Sequence, residues 1–286
     1  MSLKTIKESA SCKIYFEYEQ EEIKSVIKEF SSSEAIDKEY EININLELSL
    51  KARKDGMSLI YPYMTPLSSK ISMPTPEPEA LRLMNQGCAI LKDLKSNGII
   101  HRDIKPGNLY LDDNSKLYIN DFETAISENT TNSEKTCGTP GFMAPEQYLS
   151  PNSSWLADQY SMGAVFFCIL TGTLPFSGDS METIRDKQLK SSPDPSLVNQ
   201  KLKAPFTQLI MKMMSSNKED RFQSIQEIES TLEKCKESLK RTEILEDKVE
   251  KIEPKKKVEP KPNNIILMTV TLILSVVLIS ILLKSF

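Results

Sequence analysis

Glycine is missing from the first 55 residues, so a loop that needs bare backbone in that stretch has none to use. Histidine occurs once, at His101, which excludes histidine-based metal clusters and any triad needing a second histidine. The five cysteines (Cys12, Cys88, Cys137, Cys168, Cys235) are scattered and form no C-x-x-C pair. This spacing excludes a disulfide framework and a zinc site, and suits free thiols in a reducing compartment. An excess of charge of one sign is also lacking, with 36 Lys and Arg against 40 Asp and Glu. A net charge of −4 over 286 residues gives no electrostatic case for nucleic-acid binding. The N-terminus carries no signal-peptide pattern. With 39% hydrophobic and 27% charged residues, the chain is ordinary globular material, long enough to bury a sizeable core.

What is there centres on His101-Arg102-Asp103-Ile104-Lys105-Pro106-Gly107-Asn108, between the apolar run Gly98-Ile99-Ile100 and the alternating Leu109-Tyr110-Leu111. A carboxylate, an ammonium and an amide at this spacing can converge on one point from a loop. Asp103 can accept a proton from an attacking hydroxyl, Lys105 can neutralise charge on a transferring phosphoryl group, and Asn108 can give an oxygen to Mg²⁺.

The octapeptide matches H-R-D-x-x-x-x-N. Asp121-Phe122-Glu123 follows thirteen residues after Asn108, and Ala144-Pro145-Glu146 comes later in the same order. On these motifs the chain resembles the protein kinase family. The resemblance implies an α+β, bilobal fold with a β-rich N-lobe and a helical C-lobe. It also implies ATP and Mg²⁺ as cofactors, Asp103 and Lys105 as catalytic residues, and Asn108 and Asp121 as metal ligands. Lys105, Asn108 and Asp121 then belong to the ATP site, and His101 takes a structural role beside the loop. Lys105 two residues after Asp103, together with Gly138-Thr139-Pro140-Gly141, resembles serine/threonine rather than tyrosine kinases, so protein hydroxyls are the expected acceptors.

Along the chain, Lys13 to Tyr18 reads as a short strand, and Ile23, Val26, Ile27 and Phe30 fall on one face of a helix. The even positions from Tyr40 to Leu50 are all apolar, which favours a strand, with the region near Glu39 left open as the end of the preceding helix; Lys54-Asp55-Gly56 then turns into a returning strand over 57–64. In kinase terms Cys12-Lys13-Ile14 stands for the V-A-I-K strand, making Lys13 the expected ATP-binding lysine, with Glu34 or Glu39 as its helical partner. Tyr61 becomes the gatekeeper and Pro62-Tyr63-Met64 the hinge. Two strands and a turn need about fifteen residues, yet only twelve precede Lys13, none of them glycine. A reduced N-lobe without the glycine-rich hairpin is therefore expected. Glu123 in place of glycine is a second departure, able to restrict Phe122 or to add a carboxylate near the metal.

Further on, residues 79–96 have the spacing of a long core helix, and 109–121 suggest two short strands around Asp112-Asp113-Asn114-Ser115. Residues 124–143 correspond to the activation loop, with hydroxyls at Thr124, Ser127, Thr130, Thr131, Ser133 and Thr136. Arg102 resembles the arginine that a phosphorylated loop residue engages. Asp158 resembles the aspartate that braces the catalytic loop, and Arg221 the partner of Glu146.

Residues 239–263 are dominated by Lys, Glu and Pro and read as a solvated spacer. Ile265 to Leu283 then runs nineteen residues without a charge, about 29 Å as a helix, close to a bilayer core. The expected organisation is a reduced N-lobe and hinge (1–64), a C-lobe (65–238), a linker (239–263), a transmembrane helix (264–283) and a short tail (284–286). Upstream lysines predict a single-pass, tail-anchored protein with a cytosolic catalytic body. The expected function is a membrane-tethered serine/threonine kinase; the alternative is a pseudokinase scaffold that keeps the fold without phosphoryl transfer.

Overall fold

The computed structural model describes residues 2–130, 137–150 and 153–252, with side chains described through residue 245. The chain divides into residues 1–241 and residues 242–286; of the second unit only the helical turns through Ile252 are described.

The first unit opens with three antiparallel strands, β1 (Ser2–Glu8), β2 (Cys12–Glu19) and β3 (Glu22–Phe30). Helix α1 (Ser33–Asn45) follows, started by the Ser32 hydroxyl accepting from the Ala35 N–H. Strands β4 (Arg53–Asp55) and β5 (Ser58–Pro62) complete a five-stranded sheet ordered β1-β2-β3-β5-β4. Its core joins Cys12, Phe30, Ile36, Leu50, Leu59 and Tyr61. After the short β6 (Thr65–Pro66) and α2 (Leu67–Lys70), the chain enters the long helix α3 (Glu77–Ser96). Strands β7 (Ile99–Ile100) and β10 (Ile126–Ser127) form one small antiparallel sheet, and β8 (Leu109–Leu111) and β9 (Leu117–Ile119) join β6 in another, around the central loop. Helices α4 (Trp155–Thr171), α5 (Met181–Lys190), α6 (Ala204–Met213) and α7 (Ile225–Ile252) make up the rest.

Helix α4 is apolar almost all round and buried from Leu156 to Thr171. Such a helix belongs at the centre of a core, and α3 packs directly on it. A Cβ at Gly87 of α3 would meet the Phe166 ring at 2.8 Å, so the close approach of these two helices requires glycine there. Gly172, in the left-handed region at φ 75°, ends α4. The β-sheet N-terminal region and helical C-terminal part, the hairpin over 53–62, helix α3 and the β8–β9 pair agree with the sequence expectations.

Four expectations need correction. Residues 23–30, expected as a helix, form strand β3. It lies between β2 and β5, and an inner strand with apolar residues toward both faces loses the two-residue alternation. Residues 40–45, expected as strand, finish helix α1. Its inward face carries Ile36, Glu39, Ile42 and Asn43, and the two buried polar residues break the apolar helical period. The N-lobe is not reduced: a complete β1–β2 hairpin precedes β3, turning through Ser9-Ala10-Ser11 without glycine. Helix α7 also carries on through 239–252, the first part of the stretch expected as a spacer, and the first proline there is Pro254. The expected membrane span lies outside the described residues. Among the described residues no helix is long and apolar enough to cross a membrane.

Candidate active site

Strand β3 places the Lys28 side chain in the interior, 6% exposed. Its Nζ donates to Glu39 Oε2 at 2.8 Å and Oε1 at 3.0 Å, and to Asp121 Oδ1 at 2.8 Å. One ammonium thus ties the sheet to α1 and to the segment after β9. Lys13, the expected lysine, is elsewhere. It stands opposite Glu29 in the β2–β3 register, whereas Lys28 stands opposite Ile14. Neighbouring residues of a strand point to opposite faces, so Lys13 looks away from the cleft face. It pairs with Glu8 at 2.9 Å, about half exposed. Of the two proposed glutamates, Glu39 is the one that meets the lysine, while Glu34 is exposed. Val26-Ile27-Lys28 follows V-A-I-K at least as well as Cys12-Lys13-Ile14. A lysine inside a β-branched run was the signal that would have found it.

The charges in this trio compete. Burial works against the Lys28 ammonium, yet Glu39 and Asp121 outweigh it and hold the group above the ordinary lysine range. Burial likewise opposes the Asp121 carboxylate, and Lys28 reverses the balance, leaving its pKa below the usual aspartate value. At Glu39 burial wins and the pKa is raised, with Lys28 only partly compensating. Tyr61, 3% exposed, donates its hydroxyl to Glu39 Oε1 at 2.9 Å and fixes the carboxylate from a third side. Tyr110, behind Asp121, is pushed up to about 12, chiefly by burial and then by the Asp121 charge.

The central loop is held from below by α4. Asp158, fully buried, accepts the His101 N–H through Oδ2 at 2.7 Å and the Arg102 N–H through Oδ1 at 2.8 Å. Burial raises its pKa against the pull of His101 and these two donors. With its backbone so fixed, Arg102 sits in the left-handed region at φ 68°, and Asp121 does the same at φ 69°. Non-glycine residues adopt this conformation rarely, and then where surrounding contacts impose it. His101 plays the structural part expected of it. Its Nδ1 accepts from the Asp103 N–H at 3.3 Å, its Nε2 donates to the Asn120 carbonyl at 3.1 Å, and its ring lies against Phe122.

The remaining predicted residues converge. Lys105 Nζ donates to Asp103 Oδ2 at 2.6 Å, and Asn108 Nδ2 donates to the Asp103 carbonyl at 2.9 Å. The Asn120 N–H donates to the Asn108 carbonyl at 3.0 Å, so the residue before Asp121 is tied to the end of the loop. Thr139 was not among the expected site residues. Its hydroxyl donates to Asp103 Oδ1 at 2.6 Å and receives Lys105 Nζ at 2.8 Å, so Asp103 is held from two sides. Arg102 Nε donates to the Thr124 carbonyl at 2.6 Å. Of the activation-loop hydroxyls, Thr131, Ser133 and Thr136 lie outside the described residues. Glu146 and Arg221 form a bidentate pair at 2.6 and 2.8 Å, with the arginine side chain fully buried.

The donor set suits a hard divalent cation. Asn108 and the Asp121 carboxylate offer side-chain oxygens from two adjoining segments, and Mg²⁺ binds through few protein groups and keeps water. An ammonium at Lys28 beside Asp121, with a second at Lys105 beside Asp103, suits a polyphosphate.

A family profile described as "protein kinase domain" matches residues 2–232. The chain is 30% identical over 164 residues to the serine/threonine-protein kinase PknB of Mycobacterium leprae, an alignment that covers 56% of this chain and 26% of that protein. It is 33% identical over 144 residues to the probable serine/threonine-protein kinase CPE1738 of Clostridium perfringens, covering 49% and 21%. It is 30% identical over 177 residues to the serine/threonine-protein kinase Pkn1 of Myxococcus xanthus, covering 59% and 26%. The chain thus spans about a quarter of the length of these relatives.

Proposed function

The chain belongs to the protein kinase family, and from that premise we propose that it transfers the γ-phosphate of ATP to serine and threonine hydroxyls of protein substrates. The observation that carries this reading is Lys28, one buried ammonium bonded to both Glu39 and Asp121. In the proposed reaction Lys28 grips the α- and β-phosphates. Asn108 and Asp121 would hold Mg²⁺, which supplies charge neutralisation on the phosphates when bound. Asp103 orients the acceptor hydroxyl and takes its proton as the new oxygen–phosphorus bond forms and the bond to the β-phosphate oxygen breaks. Lys105 steadies charge on the transferred group, and Thr139 keeps Asp103 aimed. The serine/threonine preference rests on Lys105 and Thr139 and on the relatives, which are named as serine/threonine-protein kinases.

The test uses the full chain in mild detergent with γ-labelled ATP, Mg²⁺ and a generic protein substrate, beside Asp103→Asn. Phosphoserine or phosphothreonine made by the wild type and lost in the variant is the expected result. A substrate left unlabelled by both would refute transfer and favour a scaffold that keeps the fold. That second reading has its own support in Glu123, which stands where the family motif has glycine.

The proposal extends to the C-terminal stretch: residues 264–283 tether the protein to a membrane after a linker that ends at 263, with the kinase lobes (1–64 and 65–238) on the cytosolic side. It rests on nineteen uncharged residues from Ile265 to Leu283 and on the lysines upstream of them. Retention in the membrane pellet after alkaline carbonate extraction is expected, and release into the supernatant would contradict it.

A further inference from the structure

The two departures from the family motifs, a hairpin without glycine and glutamate at 123, meet in one contact. The β1–β2 turn closes on itself: the Ser9 N–H donates to the Cys12 carbonyl at 2.9 Å, and the Cys12 N–H donates to Ser9 Oγ at 3.1 Å. Its far side is tied to the β3–α1 junction, where the Ser31 N–H and hydroxyl both donate to the Ser11 carbonyl, at 3.0 and 2.9 Å. From this anchored tip the Ser11 hydroxyl crosses to Glu123 and donates to Oε1 at 2.5 Å. Glu123 is steadied in turn by Lys38 of α1, whose Nζ donates to its main-chain carbonyl at 3.2 Å. Glycine at 123 would have no carboxylate to receive the bond, and glycine at 11 would have no hydroxyl to give it.

We propose that Ser11 and Glu123 are a pair of positioning residues that clasp the hairpin tip over Asp121, so that a tied side chain holds the cover over the phosphates where glycine backbone would otherwise drape onto them. The inference rests on the kinase reading for its effect on ATP, but the clasp itself is a property of the fold. A loop fixed on both sides loses less freedom when a ligand arrives beneath it, and this favours binding more than chemistry.

A double-mutant cycle on the full chain tests it, with Ser11→Ala, Glu123→Ala, Glu123→Gly and the Ser11→Ala/Glu123→Gly pair. Two measurements are made: steady-state kinetics in ATP, and amide exchange of residues 9–12 by mass spectrometry. Each single change is expected to raise KM for ATP about five- to tenfold with kcat within about twofold, and to speed exchange at the tip. The double variant is expected to match the single ones, because the same bond is lost. Ser11→Thr, which keeps the hydroxyl, should restore wild-type values. Additive effects, or a Glu123→Gly variant with lower KM and unchanged exchange, would overturn the clasp. If the wild type transfers no phosphate, the exchange cycle still decides: coupled acceleration keeps the clasp while the kinase reading fails, and independent or absent effects reject the clasp.

Discussion

Replacing Lys28 by methionine isolates the group that ties the five-stranded sheet to α1 and to the segment after β9. The ammonium lies 2.8 Å from Glu39 Oε2 and 2.8 Å from Asp121 Oδ1, and the lysine and glutamate side chains are 6% and 1% exposed. A thioether fills the volume but leaves two carboxylates facing one another without a cation. Breaking a buried pair from one side costs about 3–5 kcal/mol. Glu39 already has a raised pKa from burial, so it can take up a proton and bring the cost to the lower end, about 3 kcal/mol. For a unit of this size that is a fall in Tm of roughly 6–12 °C. The sign of the pH effect follows. A carboxyl with a raised folded-state pKa contributes stability below its unfolded pKa and loses it as pH rises through the folded value. The Tm gap between Lys28→Met and wild type should therefore narrow from pH 8 to pH 5. Phosphate transfer should fall at least about 100-fold, the usual consequence of removing a charge-stabilising donor. Lys13→Met, which breaks only an exposed pair with Glu8, should leave activity within about twofold. Differential scanning fluorimetry across pH and initial rates of transfer read both effects. A Lys28→Met protein that keeps its activity while Lys13→Met loses it would refute the assignment.

Arg221→Met strands Glu146 and removes the donor to the Leu156 carbonyl; a loss of about 3–5 kcal/mol in urea unfolding is expected, with KM for ATP unchanged in the folded protein because the pair touches none of the phosphate-site residues. Asp158→Asn replaces one of the two oxygens that accept the His101 and Arg102 N–H groups by an NH2 donor, which leaves one N–H facing another donor; a destabilisation of about 1–3 kcal/mol and a larger fall in kcat than in KM are expected, since the loop bearing Asp103 loses its support. Asp121, with a lowered pKa, contributes stability above the ordinary aspartate range and loses it as pH falls through the lowered value; the difference in urea midpoint between wild type and Asp121→Asn should hold from pH 8 to 5 and close only below about pH 4.

The C-lobe was legible because its motifs are contiguous. The run from His101 to Asn108 is one loop, β8 and β9 flank an obvious turn, and Asp121 follows at fixed spacing, so chain order alone puts Asp103, Lys105 and Asn108 in one loop and ties the residue before Asp121 to its end. The N-lobe was not, and the reason lies in particular residues. The β2–β3 turn uses Gln20 and Glu21, both in the left-handed region at φ 51° and 72°, where a two-residue hairpin ordinarily advertises itself with Asn or Gly. Without a glycine or asparagine to mark that turn, the sequence pattern puts the lysine strand one strand early and leaves no room for the hairpin before it. Helix α1 hid for a related reason. Glu39 and Asn43 occupy its buried face, Glu39 to meet Lys28 and Asn43 to bond the chain near Leu50 and Ala52. Residues given over to the site were thus subtracted from the apolar pattern that would have revealed the element. Thr139 illustrates the remaining gap: its contact with Asp103 spans 36 residues, and no local pattern reports such a distance.

An acyl-phosphate analogue of ATP transfers its acyl group to whichever lysine lies beside the bound phosphates, and peptide mass spectrometry then names that lysine. The account predicts ATP-competable labelling of Lys28, with Lys13 untouched. Labelling at Lys13, or none that ATP can displace, would contradict it.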